Sequence, residues 1–405
     1  FVYVFSTGPV LDSIKLSGKV IDAVTLKPAA TSWVMLYPLG EDSAVYKRKP
    51  DYIGKVDKDG KWTISYLRAD SFNVVALKDE NLNFIYDQDS ELIGFLEKPI
   101  YTGDSTGVLQ DIYLFPTIKR TGVSEVIIVA DGWLKLVVNA QGEKPFPLFT
   151  PAIDTIATRW DGDTLNIWYP RAKAYAGKVI LGTDTTNIRA STAEPVNNPK
   201  IKLAQPSPRI HPNGNVNFKS EVPLKEIDSD KIELRIDSSA LLPFTIERST
   251  QDARIFTIES DLVESARYFI TFLPGALTDI WDRQNDTIRS SVVINALDQY
   301  GDLTMVIQGL DSTQQYVIRL KDGENLVDIF VVENIKETTI KRNALPPAKY
   351  TIEIIEDRNR NGIWDTGEYS VRRPAELKMT FATDPLRAGW ELEAKMVWKA
   401  GSSTN

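Results

Sequence analysis

The chain has 405 residues, no cysteine and one histidine, and its 47 Lys+Arg against 55 Asp+Glu leave a net charge of −8. That acidic balance excludes the broad basic surface that nucleic-acid binding needs. The absent cysteines exclude disulfides, thiol nucleophiles and cysteine-built zinc or iron–sulfur centres, and no apolar run approaches the roughly 18 residues of a membrane span.

The length is enough for three or four domains. Helical periodicity is nearly absent. Apolar alternation is common, and turn residues recur at short intervals, as at Asp57-Lys-Asp-Gly60, Asp161-Gly-Asp163, Asn213-Gly-Asn215 and Asp322-Gly323. This punctuation predicts an all-β chain of tandem small β-sandwiches.

Phe1-Val-Tyr-Val-Phe-Ser-Thr7 reads as the middle of a strand, so residues 1–10 are expected to close a sandwich that begins upstream. Residues 11–117 form the next unit. Ile14-Lys-Leu-Ser-Gly-Lys-Val-Ile-Asp22 opens it, and Trp33-Val-Met-Leu-Tyr37 alternates next. The Asp57–Gly60 turn leads into Lys61-Trp-Thr-Ile-Ser65, and Leu67 to Leu77 follows. An acidic loop then carries Asp79, Asn81, Asn83, Ile85 and Asp87, with Ser90, Asp89 and Glu91 near its end.

Residues 118–200 read as a small β-domain with strands at Val126–Ala130, Leu134–Val138 and Thr164–Tyr169. Residues 201–298 alternate more clearly, at Val216–Ser220, Lys231–Ile236, Arg254–Ile258 and Arg267–Phe272. Residues 299–400 repeat the 11–117 unit, with Leu303–Ile307 answering Leu16–Val20. The last strand, from Trp390, is expected to put Trp390, Leu392, Ala394, Met396 and Trp398 on one face.

The final unit holds the sharpest motif, Asp357-Arg-Asn-Arg-Asn-Gly-Ile-Trp-Asp-Thr-Gly-Glu368. Asp357, Asn359, Asn361, Asp365 and Glu368 place oxygens at positions one, three, five, nine and twelve of an EF-hand-type loop. Gly362 stands at six, and Ile363 at seven need offer only its carbonyl. Tyr350-Thr-Ile-Glu-Ile-Ile before the loop alternates as a strand, and no helical period follows. Two readings fit: a calcium-competent loop joining two strands, or a polar turn bonding its own backbone. The Asp79–Asp87 loop matches it without a net gap. There Phe84 replaces the glycine and Ser90 stands for Glu368, which makes it the weaker calcium candidate.

Three resemblances follow from these residues. The strand, D-x-D-G turn and strand of residues 11–117 resemble the prealbumin-like carboxypeptidase regulatory-like family, with Ala69-Asp70 in place of its usual glycine. Tyr268 leading to Leu273-Pro-Gly-Ala-Leu-Thr-Asp279 resembles bacterial Ig-like domains. The whole chain resembles the multi-domain Ig-like outer-membrane lipoproteins of Bacteroidota. Its resemblance is carried by Phe5-Ser-Thr-Gly, Leu16–Asp22, Glu41–Lys47, Leu77–Asn81, Leu273–Asp279, Asp357–Gly367 and Arg387-Ala-Gly-Trp-Glu391. It implies Ig-like domains alternating with prealbumin-like (transthyretin-like) domains, a lipid anchor upstream of this chain, and no known enzymatic activity.

No catalytic constellation is visible. His211 is the only imidazole, lies in the turn-rich Arg209-Ile-His-Pro-Asn-Gly, and is expected to be a solvated loop residue. Neither G-x-S-x-G nor Walker A nor G-x-G-x-x-G occurs. Trp62, Trp168, Trp390 and Trp398 read as core, whereas Trp133 and Trp281 follow turns and are expected nearer the surface. The sequence thus predicts a non-enzymatic cell-envelope protein, outer-membrane and lipid-anchored, acting as a structural or interaction subunit. The expected partners are other surface proteins, such as a β-barrel complex, and calcium is the expected cofactor. A glycan-binding surface module is the alternative, and a peptidase accessory domain a weaker one.

Overall fold

The computed structural model describes residues 12–404 apart from 41–42, 89, 105–106, 118–120, 140–145, 172–175, 183, 190–200, 213 and 238–239. The expected Phe1–Thr7 strand and Asp89 lie outside the described residues. Among those described, every regular element is a strand or a single turn of 3₁₀-helix. The protein is all-β, built as tandem sandwiches.

Alternation explains most strands. In Lys61–Leu67 the pattern puts Trp62, Ile64 and Leu67 inside, around a core with Leu16, Val20, Phe72, Val74 and Leu114. The Ile14–Asp22 strand runs antiparallel to Lys61–Leu67 and parallel to Ile112–Pro116. Trp33–Pro38 and Ser71–Lys78 depart from alternation: four consecutive residues of each are buried. Their second faces, with Met35, Tyr37, Val75 and Leu77, pack into a separate cluster with Phe95 and Phe115.

The final strands repeat this plan. Gly301–Gln308 runs antiparallel to Glu337–Leu345 and parallel to Glu391–Val397. A second sheet holds Asn325–Glu333, Gln315–Asp322, Tyr350–Asp357, Lys378–Ala382 and Ser403–Thr404 in that order. Leu303, Met305, Ile307, Ile318, Ile352 and Ile354 fill the space between the two.

Between these repeats lie two further groups. One pairs Gly122–Ala130, Trp133–Asn139, Ala157–Asp161 and Thr164–Trp168, and its core includes Leu134, Leu136, Leu165 and Ile167. The other sets the Val216–Ser220 and Ile255–Glu259 strands against the sheet of Ile232–Ile236, Arg267–Phe272 and Ile288–Ile294. Phe218, Phe256 and Phe272 meet in its centre with ring separations of 5.1–6.0 Å. Tyr268 accepts the Val263 N–H through its hydroxyl at 2.6 Å. In the final group Tyr316 accepts the Asp311 N–H in the same way at 3.1 Å.

Candidate functional site: two matched acidic loops at an aromatic joint

Each acidic loop joins two antiparallel strands, as the sequence predicts. Residues 79–91 connect Ser71–Lys78 to Leu92–Phe95, and residues 358–377 connect Tyr350–Asp357 to Lys378–Ala382. The two fold alike, bond by bond. Asp79 accepts the N–H groups of Asn83 (3.3 Å) and Phe84 (2.8 Å), and Asp357 those of Asn361 (3.2 Å) and Gly362 (2.8 Å). Asn81 and Asn359 each accept the N–H two residues on, as do Asn83 and Asn361. Asn81 and Asn83 donate Nδ2 to Asp87, and Asn359 and Asn361 donate Nδ2 to Asp365 at 2.7 and 2.6 Å.

The backbone explains position six. Gly362 has φ of +80°, and Phe84 holds the same left-handed region at +62°. A β-carbon is strained there. Phe84 is held by an edge-on contact with Trp33, 5.2 Å between ring centres, and by the Lys49 ammonium over its ring.

The structure gathers Asp357, Asn359, Asn361 and Asp365 but turns Glu368 away, to Ser370 (2.9 Å) and Arg373 (3.5 Å). Glu376 takes the central place instead. Its Oε1 accepts the Arg358 N–H at 2.8 Å and its Oε2 the Asp365 N–H at 3.0 Å. Burial, with Asp357 and Asp365 alongside, pushes the Glu376 carboxyl up to about 7. Glu91 plays the matching part in the first loop. It is fully buried, its Oε2 accepts the Asp87 and Gln88 N–H groups, and its Oε1 has no hydrogen-bond partner among the described residues. Ile85 and Ile363 supply backbone N–H groups to Asn83 and Asn361, and the Ile363 side chain is exposed. Sequence spacing pointed to Glu368 because it stands at position twelve. Glu376, beyond the 3₁₀ turn Tyr369–Val371, becomes a loop residue only through folding. Among the described residues, no three His, Asp or Glu side chains converge to hold a metal.

Both loops feed one aromatic cluster. Tyr86 of the first loop and Tyr369 and Ala375 of the second are buried with Tyr37, Phe95 and Phe115. Tyr369 lies 5.4 Å from Phe95 and 5.8 Å from Tyr46, and Arg372 stacks on Tyr369 at 4.5 Å. The Thr366 hydroxyl donates to the Pro116 carbonyl. Gly367 is seated so closely that a Cβ there would collide with the Phe115 ring. Arg358 reaches Glu97 at 3.6 Å, and the Tyr113 hydroxyl donates to the Ala400 carbonyl at 3.2 Å. A cleft of about 600 Å³ runs along this seam, lined by Phe95, Tyr113 and Phe115 on one side and Arg358, Ala375 and Leu377 on the other. The final repeat is therefore packed against the first, across the intervening chain.

A second joint lies within that intervening chain. Arg254, 4% exposed, forms paired 2.8 Å bonds to Asp161 and a further one to Asp252. The guanidinium's hydrogen bonds hold the Asp161 carboxyl below its usual range. Beside it Trp133 and Trp168 stack at 5.8 Å with Val222 and Trp281, and the Trp281 indole N–H donates to the Tyr169 carbonyl.

These contacts correct the tryptophan expectations. Trp62 and Trp168 are core, as expected, whereas Trp398, also expected in the core, is half-buried against its edge. Trp133 is buried and Trp281 half-buried, because both fill the second joint and do not face solvent. Trp390 is 56% exposed. The last strand starts at Glu391, so Trp390 belongs to a turn and leaves the alternating face. His211 is not fully solvated either: it is half-buried, with its ring 4.9 Å from Tyr300.

No family model matches the sequence, and no curated protein matches it. Several solved structures are similar to it. One is the Bacteroides ovatus mixed-linkage glucan utilization locus SGBP-B in complex with a mixed-linkage heptasaccharide: 12% identity, 84% of this chain and 90% of that one covered, TM-score 0.23. Another is a tetra-tandem repeat in the extending region of a large adhesion protein, with 11% identity, 92% and 100% coverage and a TM-score of 0.17. A third is domains 4 to 9 of the surface layer protein SbsC, with 10% identity, 83% and 56% coverage and a TM-score of 0.22.

Proposed function

We propose that this chain is a non-enzymatic cell-envelope subunit that presents binding surfaces on a rigid, clasped scaffold. The observation that supports this most is the joint of the first and last repeats. Two duplicated loops are spent on it, and it fixes units far apart in sequence. Burying one large apolar side chain contributes about 1.5–3 kcal/mol, and this joint buries Tyr86, Phe95, Phe115 and Tyr369 together. The Arg254 network fixes the middle of the chain in the same way. Such rigidity suits a subunit that holds its partners in register.

In this reading the protein is lipid-anchored at the outer membrane and docks on another surface protein, such as a β-barrel complex. Its sheet edges and inter-unit grooves are the contact surfaces. Calcium at the acidic loops belongs to the same proposal. What supports it is that Asp357, Asp365 and Glu376 are all buried, with no lysine or arginine ion-paired to them among the described residues. Buried carboxylates without a counter-charge are costly. Occupancy would require side-chain rotation, since Asn359 and Asn361 now turn Nδ2, not Oδ1, toward Asp365. The experiment is a pull-down from native outer membranes with mass spectrometry of the captured complex. A stoichiometric surface-protein partner supports the proposal, and its absence under native conditions overturns it.

A further inference from the structure

We propose that the Arg387–Trp390 turn is a carbohydrate-stacking site for a neutral pyranose ring of a polysaccharide. This goes beyond the scaffold reading and does not depend on it.

Trp390 is the only tryptophan among the described residues with its side chain mainly in solvent, at 56% exposure. The fold does not use its indole. The turn is held by backbone: Gly389 N–H donates to the Tyr300 carbonyl at 2.7 Å, and Asp302 N–H to the Trp390 carbonyl at 2.8 Å. Leu386, 2% exposed, anchors it in the core of the final repeat, and the tryptophan packed against that core is Trp398. The ring is thus carried on a rigid turn without being spent on packing, which leaves its apolar area for a ligand.

Arg387 adds the second half. Its guanidinium sits 4.9 Å from the centre of the Trp390 ring and is exposed, with no ion pair to any described residue. It covers one ring face and leaves its donors facing solvent. Around the turn the space is open: a Cβ on Gly389 would meet nothing within 4 Å. A flat π-face matches a pyranose, whose C–H face packs on the ring side that Arg387 leaves open, while the guanidinium behind the ring fixes the indole's orientation. Asp384 and Glu391 are exposed on either side of the turn in sequence. Those carboxylates and the net charge of −8 disfavour a polyanionic glycan.

Native affinity electrophoresis of the full chain tests this, in gels containing xyloglucan, galactomannan, arabinoxylan or polygalacturonate. We expect retardation in at least one neutral gel, weakened tenfold or more by Trp390→Ala and several-fold by Arg387→Ala. Both variants should melt as wild type does, since the ring is not packed. No retardation in any gel overturns the proposal and leaves the turn to a protein partner. Retardation by polygalacturonate alone overturns the neutral-sugar assignment. Binding that survives Trp390→Ala unchanged places the site elsewhere and overturns this one.

Discussion

The Thr366 hydroxyl donates to the Pro116 carbonyl, so the loop of the last repeat is bonded to the closing strand of the first. Removing the hydroxyl while keeping the shape, as in Thr366→Val, leaves the Pro116 carbonyl without this donor. A loss of about 1–3 kcal/mol is expected. Gly367→Ala should cost a similar amount, because the new methyl overlaps the Phe115 ring and the Ala375 N–H. Urea denaturation of both variants checks this. Wild-type midpoints would show that the seam contributes nothing to stability.

Arg254 should be the most sensitive charged position. Arg254→Ala leaves Asp252, 6% exposed, with only the longer 3.6 Å contact to Arg159, and losing the closer partner of such a buried pair typically costs about 3–5 kcal/mol. Arg254→Met keeps an apolar chain of similar length but loses the guanidinium, which supplies both the ion pairs and the contact over the Trp168 ring, so comparing the two separates side-chain bulk from the guanidinium's interactions. Melting temperature for each variant is the readout.

Acid should act at the same place. Arg254 holds the folded Asp161 carboxyl below its usual range, chiefly through hydrogen bonds. Its contribution is therefore complete above the unfolded pKa of about 4 and is lost as pH falls through the lower folded value. The melting temperature of the wild type should fall more steeply from pH 5 to pH 3 than that of Arg254→Met. Parallel curves would mean that the pair carries no linkage.

Much of the architecture was legible in the sequence. Val216–Ser220 and Arg267–Phe272 fall where alternation placed them, because each buries one face. The duplication was legible too, in the shared Asp-x-Asn-x-Asn spacing. What spacing could not show was anything made by contact between distant segments. Trp33–Pro38 is buried on both faces because another part of the chain covers it. Glu376 enters the loop from beyond a 3₁₀ turn, and Trp133 follows a glycine turn yet fills a joint. Trp390 misled in the other direction: it is in phase with Leu392 and Ala394, but the strand begins one residue later.

Calcium binding to the acidic loops has a direct thermal test. The melting temperature should rise with millimolar calcium over chelator in the wild type, by the mass-action stabilisation of a ligand that prefers the folded state. Asp357→Ala and Asp365→Ala should reduce that rise, since the last loop is the stronger candidate. Equal melting with calcium and with chelator would leave both loops as turns bonded to their own backbone.

The clasp itself is tested most directly by hydrogen exchange of the Leu92–Phe95 and Ile112–Pro116 amides in wild type and in Tyr369→Ala. Tyr369 belongs to the last repeat and those strands to the first. Its removal should cost about 3–5 kcal/mol, as for other buried aromatic truncations, and should speed exchange in the first repeat's strands. Unchanged protection there, with loss confined to the last repeat, would contradict a locked scaffold.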